Sequence, residues 1–324
     1  MKKLIHIFLL IGIVVFLQNC SNKYEKAEKF AKSGNYQAFY QTIEKNLKSD
    51  DKTAKNLLIN YCFKAIQDAN LQEVGFYLQK EPQLVNMIDD EGNRAIDVVL
   101  FDDNINIPML QLLLQYNPQL DYIIRYYDMT PLQVIVSGKD DNIEAVKILL
   151  KHGADVNFVG HSNKSKNTPL ILSYVVDKME VFSILLRNKA KAVLASSNIY
   201  NSIAGSYALY LKNHGVDLHN FYNKSLSKLT HSQLHSDGYE TLHEKNMQYI
   251  ELLQKMDTER VKNSCGMTHL IKWYIKAQNN KALKILLKGR ICKKTIQEMK
   301  QFAIKQNNRP ALYILNDNKR EYND

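Results

Sequence analysis

The sequence predicts an all-α protein, an α-solenoid of about seven or eight helix-turn-helix repeats with irregular caps. Three observations predict it. Thr130-Pro131-Leu132, Thr168-Pro169-Leu170 and Thr268-His269-Leu270 each open an apolar run. A polar break and a second apolar run follow each of them, closing on Leu149-Leu150, Leu185-Leu186 and Leu286-Leu287. The composition is that of a packed chain, with 45% hydrophobic residues but only 12 Gly, 6 Pro and 4 Cys in 324. That balance excludes disordered, collagen-like and disulfide-scaffold classes. Self-similarity at a spacing of a few tens of residues marks an array in which each unit covers its neighbour's apolar face.

The first residues are an address. Met1-Lys2-Lys3 is followed by an apolar run from Ile7 to Leu17, too short to span a bilayer as a helix. The run ends at Leu17-Gln18-Asn19-Cys20, then Ser21. This pattern resembles a bacterial lipoprotein signal, with Asn19 where that family usually has a small residue. The resemblance implies a signal peptide over 1–19, acylation of Cys20 and a mature chain beginning there. It also implies a location in the bacterial cell envelope, at the outer membrane facing the periplasm. An ordinary secretion signal and an uncleaved anchor are the alternatives.

The array occupies 20–218. Glu28 to Asn46 reads as an opening cap, also compatible with a tetratricopeptide-like hairpin. Asn70 to Asn86 parallels Asn104 to Asp121, and the endings Asn86, Asp121 and Asn157 are spaced by 35 and 36 residues. In the clearest unit Thr130 is a good N-cap and Pro131 suits the first helical position. Leu132, Ile135 and Val136 share one helical face, and Ile143, Val146, Leu149 and Leu150 another. Gly153 suits a left-handed helix end. Asp128 to Ile135 and Asn142 to Asn157 resemble the two halves of an ankyrin repeat, with Gln133 in the usual His place. Gly92-Asn93-Arg94-Ala95-Ile96 fills the corresponding place one unit earlier, with Arg and Ala for Thr and Pro. Val181 to Ala190 ends a further unit, and His214 to Leu218 echoes its ending. Residues 219–240, rich in Ser, Lys and His, read as an inserted polar loop before a helix from Glu240 to Lys255. The stretch 241–324 reads as basic C-terminal repeats and a cap, with Ala303 to Leu315 closing the array.

The resemblance implies a protein-binding module that is not an enzyme and needs no cofactor. The stretch 20–219 holds 22 basic and 23 acidic side chains, whereas 220–324 holds 19 and 10. The basic last third predicts an acidic protein partner, against the plainer reading of a solvated surface. No aromatic-plus-basic motif for nucleic acid is present, and a monomer is expected. The turns before repeats project beside the binding groove in ankyrin-like proteins, which makes Tyr126, Tyr127 and Asp128 candidate partner contacts. His161, Lys164 and Lys166, with Asn163, occupy the next such turn. His231 and His235 are four apart and would share a helical face, but no further ligand stands at metal spacing, so no metal site is expected. No phosphate-binding or nucleophile motif occurs. Cys62 lies in an apolar helix. Cys265 and Cys292, in neighbouring repeats, are a candidate disulfide. The role this supports is an immunity or inhibitor lipoprotein that neutralises an envelope-targeting effector. The alternatives are a constitutive envelope scaffold and, more remotely, a host-directed effector.

Overall fold

The computed structural model describes residues 24–102, 104–139, 142–158, 167–194, 197–213, 237–256, 264–288, 291–317 and 321–322. The chain divides into two compact units, Met1–Tyr127 and Asp128–Asp324. Both are all-α, built of antiparallel helix pairs stacked in two rows, as a solenoid requires.

The first unit begins with residues 24–32 (α1) and Tyr36–Lys48 (α2). Asn46 donates to the Tyr24 hydroxyl at 2.6 Å, and Tyr24 donates to Asp51 at 2.8 Å. Asp51 in turn caps the next helix by accepting from Thr53 and Ala54 amides. The pairs α3 (Lys52–Gln67) with α4 (Leu71–Lys80) and α5 (Ala95–Leu100) with α6 (Ile107–Leu114) follow. Helix α3 packs on α5 and α4 packs on α6. Leu58, Val74, Leu78, Ile96, Leu110 and Leu113 are buried between them. Each fully buried aliphatic side chain contributes about 1.5–3 kcal/mol.

Among the described residues the second unit holds five such pairs. One row is α7 (Pro131–Ser137), α9 (Pro169–Val175), α11 (Ile199–Asn213), α13 (Thr268–Lys276) and α15 (Lys293–Lys305). The other row is α8 (Ile143–Lys151), α10 (Met179–Arg187), α12 (Asp237–Met256), α14 (Asn280–Leu286) and α16 (Arg309–Asp317). Neighbours within each row are in contact.

The caps explain where the repeats start. Gln133 N donates to Thr130 Oγ1 at 3.1 Å and Thr130 N donates back to Gln133 Oε1 at 2.7 Å. Gln133 Nε2 also donates to the Asn167 carbonyl at 2.6 Å, tying one repeat to the next. The recurrent Asn has the same use at the repeat ends. Asn86 Oδ1 accepts from Gln119 N at 2.7 Å, and Asn157 bridges Lys189 O and Lys191 N. Gly153, at φ 93°, ends α8 in the left-handed region. Glycine is scarce, so most hairpin reversals fall to other residues: Ala69, Asp177, Gln278 and Asn307 all have positive φ.

Four details differ from the sequence reading. Residues 237–240 are helical, so α12 begins within the expected loop; Tyr239 is buried against Tyr207 and Tyr210, which gives that extra turn a packing reason. The stretch 214–236, with His214, His231 and His235, lies outside the described residues. It connects the two helices of one pair, α11 and α12, so the array continues on either side of it. Thr268 is not an N-cap: a 3-10 turn, Ser264–Met267, runs straight into α13 with no side-chain cap. Finally, β1 (Val193–Leu194) pairs antiparallel with β2 (Ser197–Asn198), and β3 (Ile291–Cys292) pairs parallel with β4 (Glu321–Tyr322). A side chain on Gly266 would stand 2.8 Å from Asn198 Nδ2, so this approach needs glycine.

Candidate partner-binding surface

In the first unit, Asp97 on α5 organises the loop that carries the candidate aromatics. Its buried carboxylate accepts from Arg94 N at 2.9 Å and from the Tyr122 hydroxyl. Here Asp97 does for α5 what Gln133 does for α7, accepting from the backbone N–H of the residue before the helix, so that half of the cap is kept although Thr and Pro are missing. Burial raises the Asp97 carboxyl above its ordinary value, against the hydrogen bonds that hold it ionised. Arg94 lies 4.2 Å over the Tyr122 ring and donates to Gln119 Oε1 at 2.7 Å. The loop 117–123 is thereby held on α5.

Tyr126 and Tyr127 follow directly. Their ring centroids are 4.9 Å apart, and each also meets Phe101, at 6.2 and 5.9 Å. Such pairs contribute about 0.5–1.5 kcal/mol beyond area burial. Yet Tyr126 remains 80% exposed and Phe101 39%. The rings hold each other in place, and two of them face water. Asp128 follows at φ 55°, the left-handed conformation Asp tolerates in turns.

Phe101 has a second neighbour. A cleft of about 520 Å³ is lined by Ile66, Gln67, Ala69, Val98, Val99, Phe101, Asp102, Asn106 and Met109. It lies where the α3–α4 turn meets the α5–α6 turn. Asn106 Oδ1 accepts from Met109 N, and Asp102 Oδ1 from Asn104 N, both at 3.0 Å, which fixes the polar side of the wall.

The second unit holds its aromatic residues the opposite way, as a sealed polar network. Tyr174 donates to Asn246 Oδ1 at 2.7 Å, and Asn246 Nδ2 donates to Ser206 Oγ at 3.1 Å. The Tyr207 hydroxyl lies 2.8 Å from His243 Nδ1 and 3.3 Å from the Tyr274 hydroxyl, while Asn279 Nδ2 lies 3.3 Å from His243 Nε2. With Asn279 donating to Nε2, the neutral imidazole carries its proton on Nδ1 and donates to Tyr207, which donates to Tyr274, which reaches Met247 Sδ. Asn279, donating to Nε2, leaves no place there for a second proton, and burial lowers the imidazole below its ordinary value. Tyr207 stacks on Trp273 at 5.1 Å, with the planes 10° apart. Tyr249 donates to Asp177 at 3.1 Å, and Lys245 pairs with the same carboxylate. Burial raises the Tyr174 and Tyr239 hydroxyls to about 12, so both stay neutral donors.

Of the sequence candidates, Tyr126, Tyr127 and Asp128 are adjacent on this surface. Phe101 and the cleft were not found from sequence, because the partners come from turns far apart in the chain. Cys20, His161, Lys164 and Lys166 lie outside the described residues. Cys292 is buried and disulfide-bonded, and Cys62 is buried and free, its thiol pushed up by burial. The side chain of Cys265 lies outside the described residues. Among the described residues, no group of three or more His, Cys, Asp or Glu is placed to hold a metal. Among them, too, no helix is long and apolar enough to cross a membrane.

Residues 127–161 match the family model for the ankyrin repeat. No curated protein matches the chain. Ankyrin-repeat proteins are in general binding modules without catalytic activity. The repeat match over α7 and α8 agrees with the stacked helix pairs and the inter-repeat hydrogen bonds: the chain carries an ankyrin repeat at 127–161, a unit that suggests a module for protein–protein interaction.

Proposed function

We propose that the chain is a dedicated receptor for one protein partner, held at the bacterial envelope through a lipid on Cys20. The observation that carries the binding half is the exposed aromatic group Phe101, Tyr126 and Tyr127, anchored from behind by Asp97, Arg94 and Tyr122. The envelope half rests on the sequence of residues 1–21. A second chain region supports an acidic counterpart: residues 220–324 carry 19 basic and 10 acidic side chains, which would speed association with a negative surface. In its most pointed form the receptor is an immunity or inhibitor lipoprotein, monomeric, that neutralises an envelope-targeting effector at the outer membrane. The same reading pairs Cys265 with Cys292, because the turn Ser264–Met267 packs against β3 and Cys62 is free.

The test is capture. Residues 21–324 are immobilised and exposed to envelope extract and culture supernatant at low and high salt, with bound proteins identified by mass spectrometry. One dominant partner, weakened by salt and lost with Tyr126→Ala, is the expected result. A spread of envelope components would replace dedicated recognition with the scaffold role. A chain with Cys20→Ala that still fractionates with membranes by its first residues would replace the lipid with an uncleaved anchor.

A further inference from the structure

The cleft beside Phe101 has a chemistry of its own, distinct from the basic last third. Its wall is mixed: Phe101 is the exposed apolar ring, backed by Val98 and Val99, and Gln67, Asp102 and Asn106 are polar. A volume near 520 Å³ takes one large aliphatic or aromatic side chain with its backbone. The mouth is polar and negative. Asp102 lines it, and Asp68, exposed, stands between the lining residues Gln67 and Ala69. The sequence around the cleft has the same sign: residues 65–127 hold ten acidic side chains against three basic ones. Two of those cations lie over aromatic rings, and the third stands beside Gly92. Arg94 lies over Tyr122, Lys80 lies 5.8 Å over Phe76, and Arg125 lies within 3.1 Å of where a Gly92 side chain would stand.

We infer that this cleft binds a basic segment of a protein partner, one apolar anchor residue packing on Phe101 at its wall and flanking Lys or Arg facing Asp68 and Asp102. The inference rests on the reading of the chain as a binding module. The Phe101 ring supplies the anchor's apolar contact, and the negative mouth selects the flanking charge. An acidic or uncharged segment meets Asp68 and Asp102 without compensation, so charge gives the selectivity.

A random peptide library displayed on phage, selected on the full chain in detergent, tests it. The expected consensus is a large apolar residue flanked by Lys and Arg. An enriched peptide, labelled and measured by fluorescence anisotropy, is expected to weaken about 10-fold on the double reversal Asp68→Lys with Asp102→Lys at low salt, a difference that shrinks at high salt. Because Asp102 holds its own turn, Gln67→Arg at the exposed rim provides a second variant, expected to weaken binding with an unchanged thermal midpoint. An acidic consensus, no consensus, or a basic peptide indifferent to all three substitutions overturns the inference. So does salt-dependent self-association in light scattering that the same substitutions abolish, since the occupant is then a second copy of this chain. Failure here is separable from failure of the module itself: a captured partner lost with Tyr126→Ala but kept by the rim variants leaves the module standing and removes the cleft from it.

Discussion

Two aromatic groups in this protein use the same residue types to opposite ends. Phe101, Tyr126 and Tyr127 in the first unit touch each other, and two of them face water. Tyr174, Tyr207, Tyr249, Trp273 and Tyr274 in the second unit are sealed, and the hydroxyls of the four tyrosines have partners. The difference lies in the hydroxyls. A buried Tyr hydroxyl must be hydrogen-bonded, so a sealed group becomes a network that fixes four helices in one arrangement. An exposed ring needs no such partner and stays available to another molecule. Tyrosine content alone therefore separates neither role.

The largest expected effect breaks the sealed group. Trp273→Ala removes a 1% exposed ring stacked on Tyr207 and is expected to cost about 3–5 kcal/mol, read by chemical denaturation. Next is the disulfide at Cys292. Reduction under non-denaturing conditions is expected to lower stability by about 3 kcal/mol for a loop of the length between Cys265 and Cys292. Peptide mapping that links Cys292 to any other residue would refute that pairing. Tyr207→Phe keeps the ring and deletes the hydroxyl, leaving His243 Nδ1 and Tyr274 without that partner; a loss of about 1–3 kcal/mol is expected.

A smaller effect sharpens the comparison through pH. His243 is lowered from 6.5 in the folded chain by burial. Above about pH 7 both folded and unfolded states are neutral at this ring. As pH falls through 6.5 the unfolded chain takes up a proton that the folded chain resists, so stability falls. The loss levels off below the folded value. His243→Gln is expected to flatten the pH dependence of the thermal midpoint between pH 7.5 and about 5.5. An unchanged slope would place the ring outside the network. The smallest effect on stability belongs to the exposed group, where Tyr126→Ala is expected within about 0.5 kcal/mol of the parent.

The regular repeats were legible because they obey local rules. Thr130 and Thr168 cap, Pro131 and Pro169 open their helices, and the Leu pairs close them. The ends Asn86 and Asn157 showed their period before their bridging role was known. Around α11 and α12 the helix rows persist, but Tyr, Asn and His hold them through contacts between residues 36 to 72 apart, which no local spacing shows. Thr268 looked like its two counterparts, yet without Pro at the next position the preceding turn runs into the helix. The two-residue strands are too short for any alternation to show. At the surface, Tyr126 and Tyr127 were visible as adjacent aromatics on a turn. Phe101 follows a short helix like any apolar residue, and its place beside them is set by the Asp97–Tyr122 contact.

The most direct measurement pairs binding with melting for Tyr126→Ala and Tyr207→Phe, using the captured partner and one preparation of each variant. Recognition by the exposed group predicts that Tyr126→Ala loses about 10-fold or more in affinity at an unchanged midpoint, and that Tyr207→Phe lowers the midpoint while the folded fraction binds normally. Unchanged affinity with Tyr126→Ala, or a midpoint lowered as far as by Tyr207→Phe, would contradict it.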